Sequence, residues 1–283
     1  MSVAVIGAGG IGAVIADAAG PGVLLCVRTP IDSLEIISES GPRLVPVSVV
    51  VDPAAVRAPV DVVFLTVKAT DTAGAAPWLA ALCSPTTLVV VVQNGLEQVA
   101  RVGPYLPDQV QAVPGLAYVA AERLAAGRVQ HLAGSLLQVP TWSVPTVAEA
   151  VPGLVVRGTD DMVTASWKKL LANLVANPIT ALTMRRIDVM TEPGIADLAR
   201  DVLQEAVAVG RAAEADVSAA DIERIIEGTA QYGSATGSSM LYDRLAGRPT
   251  EHQFLTGEVV RRARDMGIPT PVNAALLALL EAI

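Results

Sequence analysis

Val3-Ala4-Val5-Ile6-Gly7-Ala8-Gly9-Gly10-Ile11-Gly12 decides how the first half of this chain folds. The four apolar residues at its start, mostly β-branched, predict a short strand. The glycines follow at once, and an Ala-rich apolar stretch then runs to Ala19 with a helical look. Gly7 permits the tight strand-to-helix turn, Gly9 lets backbone approach a pyrophosphate, and Gly12 lets the helix lie close on the strand. The helix N-terminus turns its unpaired N–H groups toward phosphate. An isolated glycine turn could look the same, but here the motif follows the first strand, opens a helix and precedes a second strand, Val23–Val27. Gly7, Ala8, Gly9, Gly10, Ile11 and Gly12 are therefore candidate cofactor contacts.

After the second strand, an NAD-binding fold usually presents Asp or Glu to the ribose hydroxyls. This chain reads Val27-Arg28-Thr29 there, with no carboxylate before Asp32. Arg28 is placed to meet a 2'-phosphate, which points to NADPH. Further strands are expected at Leu44–Val51, Val60–Val67 and Leu88–Val92, with a helix over Thr72–Leu82. Lys68 and Asn94 stand just past two of these strands, where open parallel sheets bind their ligands. Glycine-punctuated apolar runs from Val110 to Pro140 predict an antiparallel extension of the sheet. A short helix over Thr146–Ala150 and a last strand at Leu154–Val156 follow.

The second organising stretch is Asp160–Thr183, which reads as one long helix with two unlike faces. At about 100° per residue, Val163, Trp167, Leu170, Leu171, Leu174 and Val175 share an apolar arc. Lys169, Asn173 and Asn177 form a polar line opposite, with Ser166 and Thr180 in the same sector. Asn is a poor helix former, so two of them here suggest a site-lining stripe rather than a solvated face. Pro178 is expected to kink or end the helix just after Asn177. The rest is helical: Ile195–Ala215 is amphipathic, Ser218 opens another helix, Thr250-Glu251-His252-Gln253 fits a capping box, and Thr270-Pro271 starts the final helix. The expected architecture is α/β: a Rossmann-type dinucleotide-binding domain over residues 1–159, then an all-α domain over residues 160–283.

Composition narrows the function classes. With 28 acidic against 20 basic residues among 283, the net charge of −8 is a poor footprint for nucleic acid or anionic lipid. No apolar run approaches a membrane span, and no basic leader precedes Val3, so the cytoplasm is the expected compartment. The two cysteines, Cys26 and Cys83, supply neither a disulfide framework nor a metal cluster and are expected to be buried. His131 is expected to be structural and His252 exposed. Nothing in the sequence selects an oligomeric state, a homodimer included.

Together, Gly7–Gly12, Val67-Lys68-Ala69, Gln93-Asn94-Gly95-Leu96, Trp167–Leu182, Ser238–Asp243 and Gly247–Glu251 give the whole chain a resemblance to the ketopantoate reductase family. That resemblance implies NADPH-dependent reduction of 2-dehydropantoate to pantoate, a step of pantothenate biosynthesis, with substrate bound between a Rossmann domain and a helical domain. It places the proton-donating lysine at Lys169, with Lys168 on another face. It also places substrate-contacting asparagines at Asn94, Asn173 and Asn177, the carboxylate-binding serine at Ser239, the hydroxyl-binding glutamate at Glu251, and the lysine near the nicotinamide at Lys68. Many members carry an Asn-Gly pair about ten residues beyond the Asn-Pro segment, where this chain reads Met184-Arg185-Arg186-Ile187-Asp188. Ile187 therefore leaves open which branched 2-keto acid is reduced. A 3-hydroxyacid dehydrogenase and a non-catalytic NADPH sensor are the competing readings. The retention of Lys169, Asn173, Ser239 and Glu251 together disfavours the sensor.

Overall fold

The computed structural model describes residues 1–231 and 236–283, without the side chains of residues 229–231. The chain divides into two compact units, residues 1–93 with 97–162, and residues 94–96 with 163–283. In the first unit, β1 (Val3–Ile6), α1 (Gly10–Ala19) and β2 (Leu24–Cys26) form the opening βαβ turn. β3 (Leu34–Ser38), β4 (Gly41–Val45), β5 (Ser48–Val50), β6 (Val62–Leu65), α2 (Ala76–Leu82), β7 (Leu88–Val91), α3 (Gln98–Val102) and β8 (Gln111–Pro114) follow. The unit closes with β9 (Leu116–Ala125), β10 (Arg128–Pro140), α4 (Val144–Ala150) and β11 (Val155–Thr159).

Six parallel strands in the order β5-β2-β1-β6-β7-β8 make the main sheet. β1, β6 and β7 are buried along their whole lengths, which is why they read as continuous apolar runs rather than alternating ones. The strand order reverses between β1 and β6, and both strands end beside the glycine turn and Lys68.

Three expectations change. The run Leu44–Val51 is two strands, since Pro46 separates β4 from β5 and the two belong to different sheets. The region from Val110 to Pro140 does not simply extend the main sheet. β8 joins it in parallel, while β9 and β10 join β3, β4 and β11 in a second, mixed five-stranded sheet. The helix expected over Thr72–Leu82 is α2 preceded by two 3-10 turns, Ala69–Asp71 and Ala73–Ala75. Cys26 and Cys83 are buried, as expected, and burial pushes both thiols up to about 12.

The second unit holds α5 (Met162–Thr183), α6 (Pro193–Ala212), α7 (Ala219–Gln231), α8 (Ser239–Leu245), α9 (Thr256–Met266) and α10 (Pro271–Glu281). Trp167, Leu170, Leu171, Leu174 and Val175 on α5 pack with α6, α9 and α10 residues in one apolar core. Val163, expected on that arc, is 51% exposed instead. α5 continues through Pro178 to Thr183, so the proline does not end it. The expected capping box at Thr250 is absent: the Thr250 hydroxyl is within 2.7 Å of His252 Nδ1, Gln253 bonds Glu281, and a 3-10 turn over His252–Phe254 precedes α9. Pro271 opens α10 as read, but Glu205, not the Thr270 side chain, accepts from the N–H groups of Val272 and Asn273. Among the described residues, no helix is long and apolar enough to cross a membrane.

Candidate active site

The first unit carries a cradle for a dinucleotide. Gly7 adopts φ +109°, and a Cβ on Gly12 would collide with the Gly7 carbonyl, so the turn and the close approach of α1 both require glycine. The Thr66 hydroxyl braces this turn at 3.0 Å from both the Ile6 and Gly7 carbonyl oxygens. Among the described residues, no atom beyond its chain neighbours lies within 4 Å of where a Cβ on Gly9 would sit, which leaves that backbone approachable. The residues therefore fit a nicotinamide dinucleotide, whose pyrophosphate Gly7–Gly12 would hold against the start of α1. Arg28 follows β2 and donates to Asp71 at 3.0 Å. Lys68 is half-buried ahead of the 3-10 turn after β6.

Thr66, Asp71, Thr72 and the buried Gln93 have structural parts here that the sequence reading did not assign. For Thr66 the available signal was its place directly after buried β6, for Thr72 its place at the start of the helix expected over Thr72–Leu82, and for Gln93 the Gln-Asn-Gly run.

The second unit brings together Asn94, Lys169, Asn173, Asn177, Ser239 and Glu251. Burial pushes the Lys169 ammonium down to about 8, and the Glu251 carboxylate opposes that shift. The residue as a whole is half-buried, while Glu251 is only 3% exposed. Asn94, which belongs to this unit with residues 95 and 96, donates from Nδ2 to Glu251 Oε2 at 3.0 Å. Its amide thus orients the carboxylate, beyond the ligand-contacting part expected of it. Lys168 points elsewhere, with its ammonium 3.9 Å from Asp221, so the two neighbouring lysines lie on different faces as read.

Asn177 is more structural than its place in the polar line suggested. It is 3% exposed. Its Nδ2 donates to Asn173 Oδ1 at 3.2 Å, and its Oδ1 accepts from the Ser239 hydroxyl at 3.0 Å and from the Met240 N–H at 3.1 Å. Ser238 caps α8 by accepting from the Leu241 N–H, and its hydroxyl lies 2.6 Å from that of Thr180. α5 therefore fixes where α8 begins and where the exposed Ser239 hydroxyl stands.

Ile187, at the departure from the expected Asn, is 5% exposed in the apolar core, with its N–H bonded to the Thr236 carbonyl. His131 bonds the Gly134 carbonyl, a structural contact as expected. His252 is half-buried rather than exposed, and burial lowers its pKa.

The sequence pattern described as ketopantoate reductase PanE/ApbA matches residues 3–143, and its C-terminal counterpart matches residues 161–283. The chain belongs to the ketopantoate reductase family. It is 36% identical to a 2-dehydropantoate 2-reductase of Mycobacterium tuberculosis, across 99% of this chain and 97% of that one. A 2-dehydropantoate 2-reductase of Caulobacter vibrioides is also 36% identical, across 99% and 98%. A solved PanE/ApbA family ketopantoate reductase from Ralstonia eutropha superposes with a TM-score of 0.86 at 30% identity, covering 100% of this chain and 98% of that one. Like the ketopantoate reductase family as a whole, the protein is a nicotinamide-dependent oxidoreductase.

Proposed function

We propose that the protein reduces the keto group of 2-dehydropantoate, giving pantoate, with NADPH as reductant, as a cytoplasmic step of pantothenate biosynthesis. The observation that best supports this is the Lys169–Glu251–Asn94 cluster in the second unit. A nicotinamide bound at the cradle would supply the hydride to the keto carbon. Negative charge then gathers on the keto oxygen and calls for a proton donor within hydrogen-bond reach.

Lys169 fills that part. A lysine at about 8 stays charged at neutral pH, yet releases its proton more readily than one at 10.5. Glu251 keeps the resting ammonium charged and accepts a substrate hydroxyl, while Asn94 holds the carboxylate in place. Asn173 and Ser239 bind the substrate's polar groups, and the Ser239 hydroxyl turns from Asn177 to the substrate carboxylate. Arg28, standing where NAD enzymes place an acid, supports NADPH over NADH.

The test is direct. Purified protein given 2-dehydropantoate should consume NADPH and accumulate pantoate, with NADH the poorer donor. Turnover confined to 3-keto acids would assign a 3-hydroxyacid dehydrogenase instead, and NADPH binding without turnover of either class would assign a sensor.

A further inference from the structure

Arg28 is the group on which the choice of NADPH rests, and the fold does little to hold it. Its side chain is 70% exposed. Among the described residues its guanidinium makes one hydrogen bond, from Nη2 to Asp71 Oδ2 at 3.0 Å, across 43 positions of sequence. That single bond leaves Nε, Nη1 and the second Nη2 hydrogen for another acceptor, so the fork that reads a phosphate stays available.

The backbone of Asp71, in contrast, is well anchored. Its N–H donates to the Lys68 carbonyl at 2.8 Å. The next residue, Thr72, is 4% exposed and donates to the Ala69 carbonyl at 2.8 Å. Gln93, 3% exposed at the end of β7, donates from Nε2 to the Thr72 hydroxyl at 2.9 Å and to the Val67 carbonyl at 3.2 Å. Gln93 is itself tied by Arg101, which donates to its Oε1 at 3.2 Å, and by Gln98, which donates to its carbonyl. A buried amide thus fixes the 3-10 turn, the turn fixes the backbone that carries Asp71, and the partly exposed Asp71 carboxylate meets the exposed guanidinium.

We propose that Asp71 is the positioning residue for recognition of the cofactor's 2'-phosphate, acting through Arg28. A free arginine on the surface loses rotamer entropy when it closes on a ligand. A carboxylate that holds it at one corner removes part of that loss before the ligand arrives. This inference rests on the reading that Arg28 selects NADPH. A carboxylate offers a phosphate no donor and its negative charge would repel one, so orientation and repulsion pull in opposite directions. The single-corner contact, which keeps the rest of the fork open, favours orientation.

The test is calorimetric binding of NADPH and of NADH to the wild type, Asp71→Ala, Asp71→Asn, Arg28→Ala and the Arg28→Ala/Asp71→Ala double variant. Asp71→Ala should weaken NADPH about three- to tenfold, the scale of ordering one long side chain, and leave NADH unchanged. Asp71→Asn retains an acceptor for Nη2 and should stay within about twofold of wild type. The double variant should be no weaker than Arg28→Ala alone, because Asp71 acts only through that arginine. A normal NADPH affinity in Asp71→Ala beside a weakened Arg28→Ala overturns the positioning role and spares the NADPH reading. Tighter NADPH binding in either Asp71 variant shows that repulsion dominates and also overturns it. An Arg28→Ala protein that binds NADPH as wild type does removes both readings. NADH affinity serves as the folding control in every variant.

Discussion

The two units build their sites in different ways. The cradle of the first unit is made of backbone: a glycine turn, a helix N-terminus and the ends of buried strands, with Arg28 and Lys68 added at the rim. The cluster of the second unit is made of side chains drawn from Asn94, α5, the start of α8 and the turn at Glu251, each held by another. A backbone site needs a few residues adjacent in sequence. A side-chain site needs a helix to place polar groups where a core would otherwise be, and partners about sixty residues away to satisfy them.

Damage should divide along the same line. Changes in the second unit should strike turnover, and changes in the first should strike cofactor affinity.

The largest effect is expected at Lys169. Lys169→Ala should lower kcat by at least about a hundredfold, the usual scale for a lost general acid, with the calorimetric affinity for NADPH unchanged. Lys168→Ala, whose ammonium sits by Asp221, should stay within about threefold. Equal losses at the two lysines would erase the distinction between their faces.

Arg28→Ala comes next. Charge-assisted hydrogen bonds to a 2'-phosphate are worth about 1.5 to 3 kcal/mol, so KM for NADPH should rise roughly ten- to a hundredfold while kcat and the NADH kinetics hold. A fall in kcat instead would show that the two kinds of site are not separable.

Asn177 and Ile187 sharpen the comparison from the side of stability. Asn177→Ala leaves the Met240 N–H and the Ser239 hydroxyl without their acceptor, at a cost of about 1 to 3 kcal/mol. Melting should fall by several degrees and KM for the keto acid should rise, with NADPH affinity unchanged. Ile187→Asn puts an amide into the apolar core, so its main effect should be a comparable loss of Tm. A stable Ile187→Asn protein with a sharpened preference for hydroxylated over deoxy 2-keto acids would instead place that side chain in the substrate pocket.

These contrasts also explain what could be read in advance. Gly7–Gly12, the strand ends at Lys68 and the polar line of α5 are local patterns, and the periods that reveal them lie within one or two turns or one strand. The second sheet was missed because its pairings are non-local: β3 lies against β10, and nothing within Leu34–Ser38 announces a partner at Arg128–Gln130. Pro46 was visible, but not that the strands on either side of it enter different sheets.

In the site, the residue types were legible and their partners were not. Lys169, Asn173 and Asn177 share a face by simple helical spacing. That Asn177 holds α8 in place, and that Asn94 holds Glu251, depends on chain folding over long separations. The capping-box pattern at Thr250–Gln253 failed for a related reason, since His252 and Glu281 took the groups that the local pattern had reserved.

The central claim is that burial readies Lys169 to donate the proton. The measurement that tests it most directly is the pH dependence of kcat for NADPH-driven reduction of 2-dehydropantoate. Lysine donates only while protonated, so with its pKa lowered to about 8, kcat should be level near neutrality and fall as pH rises through about 8. Lys169→Arg, which stays charged throughout, should lose most of the activity and also lose this limb. A wild-type profile that stays level to pH 10, or a limb near 8 that persists in Lys169→Arg, would contradict the account.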